Sequence, residues 1–273
     1  MSTAHQSVAR SLAVTAVQWQ PGEDSQENLR ALAVHVEAAA QAGSTLVVFP
    51  EYAQRHLARP SAEWTRAHES LGGPFATGLR DIATRHGVTI VAGMIETSET
   101  DKPYNTQVVV DASGVIATAR KIHLYDAFSM TESDFFLEAP PTPPHVFDHS
   151  GMRVGVQTCY DLRFPEVTRQ LVDAGCEVVI VPAQWVPGEH KLDQWVTLAR
   201  ARAIEAQVWL VAADHPAPTG VGSSLIVSPM GEVVQQANSR ETLIHHVLDG
   251  DLVTEVRQRN PMAAARRFRV IWG

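Results

Sequence analysis

The sequence predicts an α/β layered domain built on one mixed sheet or on two packed sheets. Two observations carry this prediction. Short Val- and Ile-rich runs alternate with amphipathic segments almost from end to end, the pattern of strands covered by helices. Hairpin signals interrupt the alternation, so some neighbouring strands must run antiparallel.

The elements follow in order. Leu12 to Trp19 reads as the first strand. Asp24 and Glu27 have capping-box spacing for a helix with Leu29, Leu32 and Val36 on one face, and Gly43 ends it. Thr45 to Pro50 is the second strand. Phe75 to His86 is a helix stopped by Gly87, and Val88 to Met94 is the third strand. Tyr104 to Asp111 and Val115 to Lys121 pair around the Ala112-Ser113-Gly114 turn. Met152 to Thr158 reads as a buried strand, and Pro165 to Ala174 as a helix entered through proline. Glu177 to Pro182 is a strand and Glu189 to Gln207 a longer helix. Val208 to Ala213 and Ser223 to Val227 are strands. Pro229-Met230-Gly231 then turns the chain into another near Val233, and Thr242 to Leu248 is the last core strand.

No Gly/Ser- or Pro-rich linker is long enough to separate domains, and Ala139 to Pro144 reads as a stiff loop. Met1 to Arg10 reads as a short mobile leader, which leaves residues 11–273 as a single domain.

Composition narrows the class. With 45% hydrophobic and 19% charged residues, the 273-residue chain is an ordinary globular protein with ample core. A net charge of −8 argues against nucleic-acid binding, which needs a basic face. Two cysteines, Cys159 and Cys176, allow at most one disulfide, so reduced thiols and a cytoplasmic setting are expected. The polar N-terminus has no signal-peptide core, and no window approaches the ~20 apolar residues of a membrane span.

Three polar residues stand where apolar strands end: Glu51, Lys121 and Cys159. Active sites of α/β sheets collect there. Each has a plain reading, as a loop carboxylate, a solvated lysine and a buried structural cysteine. Together they suffice for attack on an amide. A cysteine at a strand-to-helix elbow has backbone N–H groups and a helix N-terminus beside it, which favour a thiolate. A carboxylate can take the thiol proton and pass it to the leaving amine. An ammonium can stabilise the oxyanion.

Phe49-Pro50-Glu51, Arg120 to Tyr125, Cys159 to Glu166, Arg200 to Glu205, and Gly222-Ser223-Ser224 leading to Ser228–Gly231 occur in this order. In them the sequence resembles the nitrilase, or carbon–nitrogen hydrolase, superfamily from roughly Val14 to the C-terminal end. The resemblance implies a four-layer αββα sandwich. It implies Glu51 as general base, Lys121 as oxyanion stabiliser, Cys159 as nucleophile and the Tyr160 N–H as a donor in the oxyanion hole. Thr131-Glu132-Ser133-Asp134 matches a further family loop, so Glu132 is expected to orient substrate or lysine, with a helix cap as the plain alternative. The expected course is a thioester acyl-enzyme, ammonia leaving first.

Cys159-Tyr160-Asp161 stands where nitrilases proper carry Cys-Trp-Glu, which favours an amidase. The likeness is strongest to small amidases acting on deaminated glutathione or on ω-amides of 2-oxo acids. The expected substrate is therefore a small amide bearing a carboxylate, turned over with water. A carbamoylase is the rival within the fold, and a non-catalytic binding or scaffold protein the rival outside it. Arg163 is a candidate carboxylate contact, although an arginine opening a helix near Glu166 more often makes a structural ion pair. Tyr125, Phe128 and Trp185 are expected to shape the pocket and Gln184 to offer an amide contact, against plain packing roles.

The chain departs from the family pattern after Asp134, at Ala206 and at Asp214-His215, which bears on specificity rather than chemistry. His145 and His149 are spaced as a ligand pair in an expected loop, and His245 adjoins His246, but neither set has a third ligand at metal-site spacing. No metal or cofactor is expected. The C-terminal arginines Arg257, Arg259, Arg266, Arg267 and Arg269 read as a solvated or subunit-contact face, and Trp272 as belonging to a docked tail. The resemblance implies a homodimer.

Overall fold

The computed structural model describes residues 10–57, 61–128, 130–140 and 142–271. Its first sheet contains β1 (Ser11–Gln18), β2 (Leu46–Val48), β3 (Thr89–Glu96), β4 (Tyr104–Asp111), β5 (Gly114–Arg120) and β12 (Thr242–Asp249). The second contains β6 (Val146–His149), β7 (Met152–Val156), β8 (Val178–Pro182), β9 (Trp209–Ala213), β10 (Leu225–Val227) and β11 (Val233–Gln236). The strand orders are β12-β1-β2-β3-β4-β5 and β11-β10-β9-β8-β7-β6. In each sheet the central strands are parallel and the outer ones antiparallel: β1, β2 and β3 in the first, β7, β8 and β9 in the second.

Alternation along the strands creates the layers. Leu12, Val14, Leu46, Val48, Val154, Val178, Ile180 and Val211 meet in one cluster between the sheets. Val17, Val47 and Ile90 face the other way, onto α1 (Ser25–Gln41) and α3 (Pro74–His86). Val179, Val181 and Leu210 likewise pack on α5 (Lys191–Ala206), beside α4 (Pro165–Asp173). Each central strand is thus covered on both faces, which is why it reads as an unbroken apolar run. Burying each such side chain contributes about 1.5–3 kcal/mol. The architecture is a four-layer αββα sandwich.

The helix signals act as expected. Asp24 Oδ1 accepts from the Gln26 and Glu27 amides at 2.8 Å each, capping α1. Gly87, at φ 66°, closes α3 in the left-handed conformation.

Several expectations need correction. Arg10 is anchored rather than mobile: its guanidinium donates to Glu177 at 2.8 Å and to the Gly250 carbonyl at 2.7 Å. Met1 to Ala9 and Trp272 lie outside the described residues. The His145–His149 loop contains β6, a four-residue edge strand paired with β7. His149 Nε2 bonds Thr45 Oγ1 at 3.0 Å there. Two short helices, α2 (Ala62–Thr65) and α7 (Met262–Ala265), and the longer α6 (Gly250–Arg259) have no counterpart in the sequence reading. In α6, Arg257 is not simply solvated, for it donates to the Cys176 carbonyl at 2.8 Å.

Candidate active site

The expected residues arrive from four strand ends. Glu51 follows β2, Lys121 follows β5, Cys159 follows β7, and Gln184 and Trp185 follow β8. The Glu51 turn is tightly seated. Tyr52 has φ 61°, and a Cβ on Gly93 would come within 2.5 Å of the Tyr52 nitrogen. Only glycine at this point of β3 lets the turn lie against the sheet.

Glu51, Lys121 and Glu132 form one buried cluster, each no more than 5% exposed. Lys121 Nζ donates to Glu51 Oε1 at 2.9 Å and to Glu132 Oε2 at 2.7 Å. Asn105 Nδ2 bridges the same carboxylates, at 2.8 Å to Glu51 and 3.0 Å to Glu132. Tyr52 Oη donates to Glu132 at 2.6 Å, and the Tyr125 amide at 2.7 Å. Glu132 opens a short 3₁₀ turn over Glu132–Asp134, and its buried carboxylate points into the cluster rather than capping that turn. The remaining oxygen of Glu51 accepts from the Gln184 amide at 2.9 Å.

Cys159 has φ 44° and begins a 3₁₀ turn, Cys159–Arg163, that precedes α4. A non-glycine residue in that region is strained and persists only where its surroundings hold it. Asp161 supplies the hold. Its carboxylate accepts from the His123 amide at 2.9 Å, His123 Nδ1 at 2.8 Å and the Thr158 amide at 3.3 Å. Asp161 thereby fastens the segment after Lys121 to the cysteine turn. The His123 ring lies flat on Phe164, centroids 3.6 Å apart.

Electrostatics separates the two carboxyls. Burial drives Glu51 upward; Lys121 opposes it, Glu132 adds to it, and the outcome is raised. Burial also drives Glu132 upward, but the contacts from Lys121, Tyr52 and the Tyr125 amide outweigh it, and Glu132 ends lowered. The contacts therefore favour the neutral form of Glu51 and the charged form of Glu132. Burial works against the Lys121 ammonium, yet Glu132 and Glu51 hold it well above the usual lysine range.

The cysteine corrects an expectation. Burial first, then Glu51, push the Cys159 thiol well above its ordinary range, and Lys121 opposes them without prevailing. Burial and the Glu51 charge thus favour the thiol form, and Sγ lies 3.5 Å from the Gln184 carbonyl oxygen. The lysine charge is already shared by two carboxylates, so little is left to favour a thiolate.

Tyr125, Tyr160, Gln184 and Trp185 line the same pocket as Cys159. Tyr160 meets Tyr125 edge-on, centroids 5.0 Å apart. Phe128 does not line it; at 71% exposure it reaches the pocket only by covering the Lys191 ammonium, 3.9 Å from its ring centroid. Arg163 makes no ion pair with Glu166, donating instead to Gln194 Oε1 at 2.7 Å. Sequence reasoning missed Tyr52, Asn105, Trp64, Met130 and Lys191. Asn105 carried a usable signal, since Asn105, Thr106 and Gln107 interrupt an otherwise apolar strand. Among the described residues, no group of three His, Cys, Asp or Glu side chains could hold a metal ion.

This fold and site define a hydrolytic class. The carbon-nitrogen hydrolase family matches residues 13–258. A hydrolase of Mycobacterium tuberculosis is 37% identical over 263 residues, covering 90% of this chain and 92% of that protein. A deaminated glutathione amidase of Escherichia coli is 31% identical over 243 residues, covering 89% and 92%. The crystal structure of Saccharomyces cerevisiae Nit3, a nitrilase-superfamily member, superposes with a TM-score of 0.83 at 27% identity, covering 95% of this chain and 97% of that one. The chain belongs to the carbon-nitrogen hydrolase family. No helix among the described residues is long and apolar enough to cross a membrane.

Proposed function

We propose that the protein is an amidase that hydrolyses small linear amides bearing a carboxylate, through a thioester on Cys159. The observation that carries this reading is the buried Lys121 ammonium held between Glu51 and Glu132, beside a strained cysteine turn.

The substrate carbonyl enters with its oxygen toward Lys121 Nζ and the Tyr160 N–H. Glu51 removes the thiol proton as sulfur attacks the carbonyl carbon, and the oxygen takes up the negative charge. That charge develops against a cation already fixed in place, so little reorganisation is needed at the moment of reaction. Glu51 then passes its proton to the nitrogen, the C–N bond breaks, and ammonia leaves a thioester. Water enters, gives a proton to Glu51, and its oxygen attacks the thioester. The C–S bond breaks, the acid departs, and the sulfur recovers its proton. A raised Glu51 suits both directions of transfer, because a carboxyl nearer neutrality both accepts and returns a proton. Glu132, kept ionised, holds Lys121 in place and leaves the exchange to Glu51.

The expected branch is deaminated glutathione or a 2-oxo acid ω-amide, in keeping with the name of the Escherichia coli relative. Ammonia release from deaminated glutathione, 2-oxoglutaramate, aliphatic amides and N-carbamoyl amino acids tests it, with Cys159→Ala alongside the parent. Turnover of an amide that the substitution abolishes is expected. Turnover of carbamoyl compounds alone, or none at all, would overturn the reading.

A further inference from the structure

We infer that Lys191, together with Arg163, receives the carboxylate of the amide substrate, an inference that rests on the amidase reading. Both side chains line the pocket that contains Cys159, and neither belongs to the catalytic cluster. Lys191 is only 6% exposed. Its ammonium donates to Tyr125 Oη at 2.8 Å and stands 3.9 Å from the Phe128 ring centroid and 6.0 Å from that of Trp185. Arg163 covers the same Trp185 ring, 4.8 Å from its centroid, with one amino group bound to Gln194 and its Nε buried without a partner.

Among the described residues, neither cation is paired with a carboxylate, although the chain carries 30 acidic against 22 basic side chains. An acidic protein that leaves two neighbouring cations without counter-ions in one pocket is electrostatically frustrated there. Removing a cation from water costs free energy that an opposite charge recovers. Burial, and then Arg163, already weaken the Lys191 hold on its proton. An incoming anion relieves both effects at once.

The surroundings specify which anion. Tyr125, Phe128 and Trp185 enclose the ammonium in apolar surface, where Coulomb attraction is less screened than in water. The guanidinium suits a planar carboxylate, and the ammonium acts as a point charge beside it. Cys159 and Arg163 are the first and last residues of one 3₁₀ turn. The scissile carbonyl and the carboxylate therefore lie at opposite ends of a short chain. Lys191 itself is fixed from behind, because Trp185 Nε1 donates to its carbonyl at 3.0 Å and His190 enters the helix at φ 59°.

The test compares glutaramate with valeramide, which replaces the carboxylate by a methyl group, on the parent, Lys191→Met and Lys191→Arg. The methionine keeps the apolar stem and removes the charge. The preference for glutaramate should fall about 10- to 100-fold in Lys191→Met, mainly through KM, and recover partly in Lys191→Arg. An unchanged preference in Lys191→Met would overturn the inference. Glutarate binding to the Cys159→Ala protein, measured by calorimetry with and without Lys191→Met, separates this failure from failure of the amidase reading. Glutarate affinity that drops about tenfold or more with the lysine supports the anion receptor even if no amide is turned over. Equal affinity refutes it.

Discussion

His215 Nε2 lies 2.7 Å from the backbone carbonyl oxygen of Glu51. The carbonyl can only accept, so the ring carries its proton on Nε2. A fully buried histidine thus fixes the main chain that presents the Glu51 carboxylate. His56 packs 5.0 Å away, centroid to centroid. His215 belongs to the Asp214-His215 departure from the family pattern.

The histidine pair predicts a pH dependence of stability. Burial first, and then His56, lower His215 from 6.5 to about 3, the Glu51 carbonyl opposing them. Burial lowers His56 from 6.5 to about 4. Below pH 6.5 the unfolded chain takes up protons that the folded rings refuse, so their contribution to stability is complete above that pH. It is lost progressively as pH falls toward about 4 and then 3. Urea midpoints measured between about pH 7.5 and 5 should fall with pH, and less steeply in His215→Asn. Equal slopes in the two proteins would contradict this role for the pair.

Glu132→Gln should separate the two carboxyls. The charge on Glu132 raises Glu51, so its removal lowers Glu51. In the proposed mechanism Glu51 acts as a base when deprotonated, so the acid limb of kcat/KM should move to lower pH. The ammonium also loses a charged contact made at 2.7 Å, which should slow turnover by about 10- to 100-fold. A slower enzyme with an unmoved acid limb would assign Glu132 a purely structural role.

Much of this was legible in the residues. Val- and Ile-rich runs ending at Glu51, Lys121 and Cys159 disclosed both the strands and the place of the candidate site, because a strand covered on two faces leaves its polar residues at its ends. The edge strand β6 was hidden by its length of four residues and its half-exposed pattern. In α6 only Gly250, Val253 and Val256 are buried, too weak a stripe to compete with its charged residues. Lys191 was illegible for another reason. Nothing local distinguishes a buried lysine from a solvated one, and Tyr125 and Phe128, which help to bury it alongside the nearby Trp185, come from a distant loop. The thiol state of Cys159 was equally out of reach, since it depends on the balance of burial, Glu51 and Lys121.

The central claim is that Cys159 carries the acyl group, and intact-protein mass spectrometry during turnover of a slow amide tests it most directly. The expected result is an adduct equal to the substrate minus ammonia, located on the Cys159 peptide and absent from Cys159→Ala, which releases no ammonia. Continued ammonia release by Cys159→Ala, with no adduct on the parent protein, would contradict it.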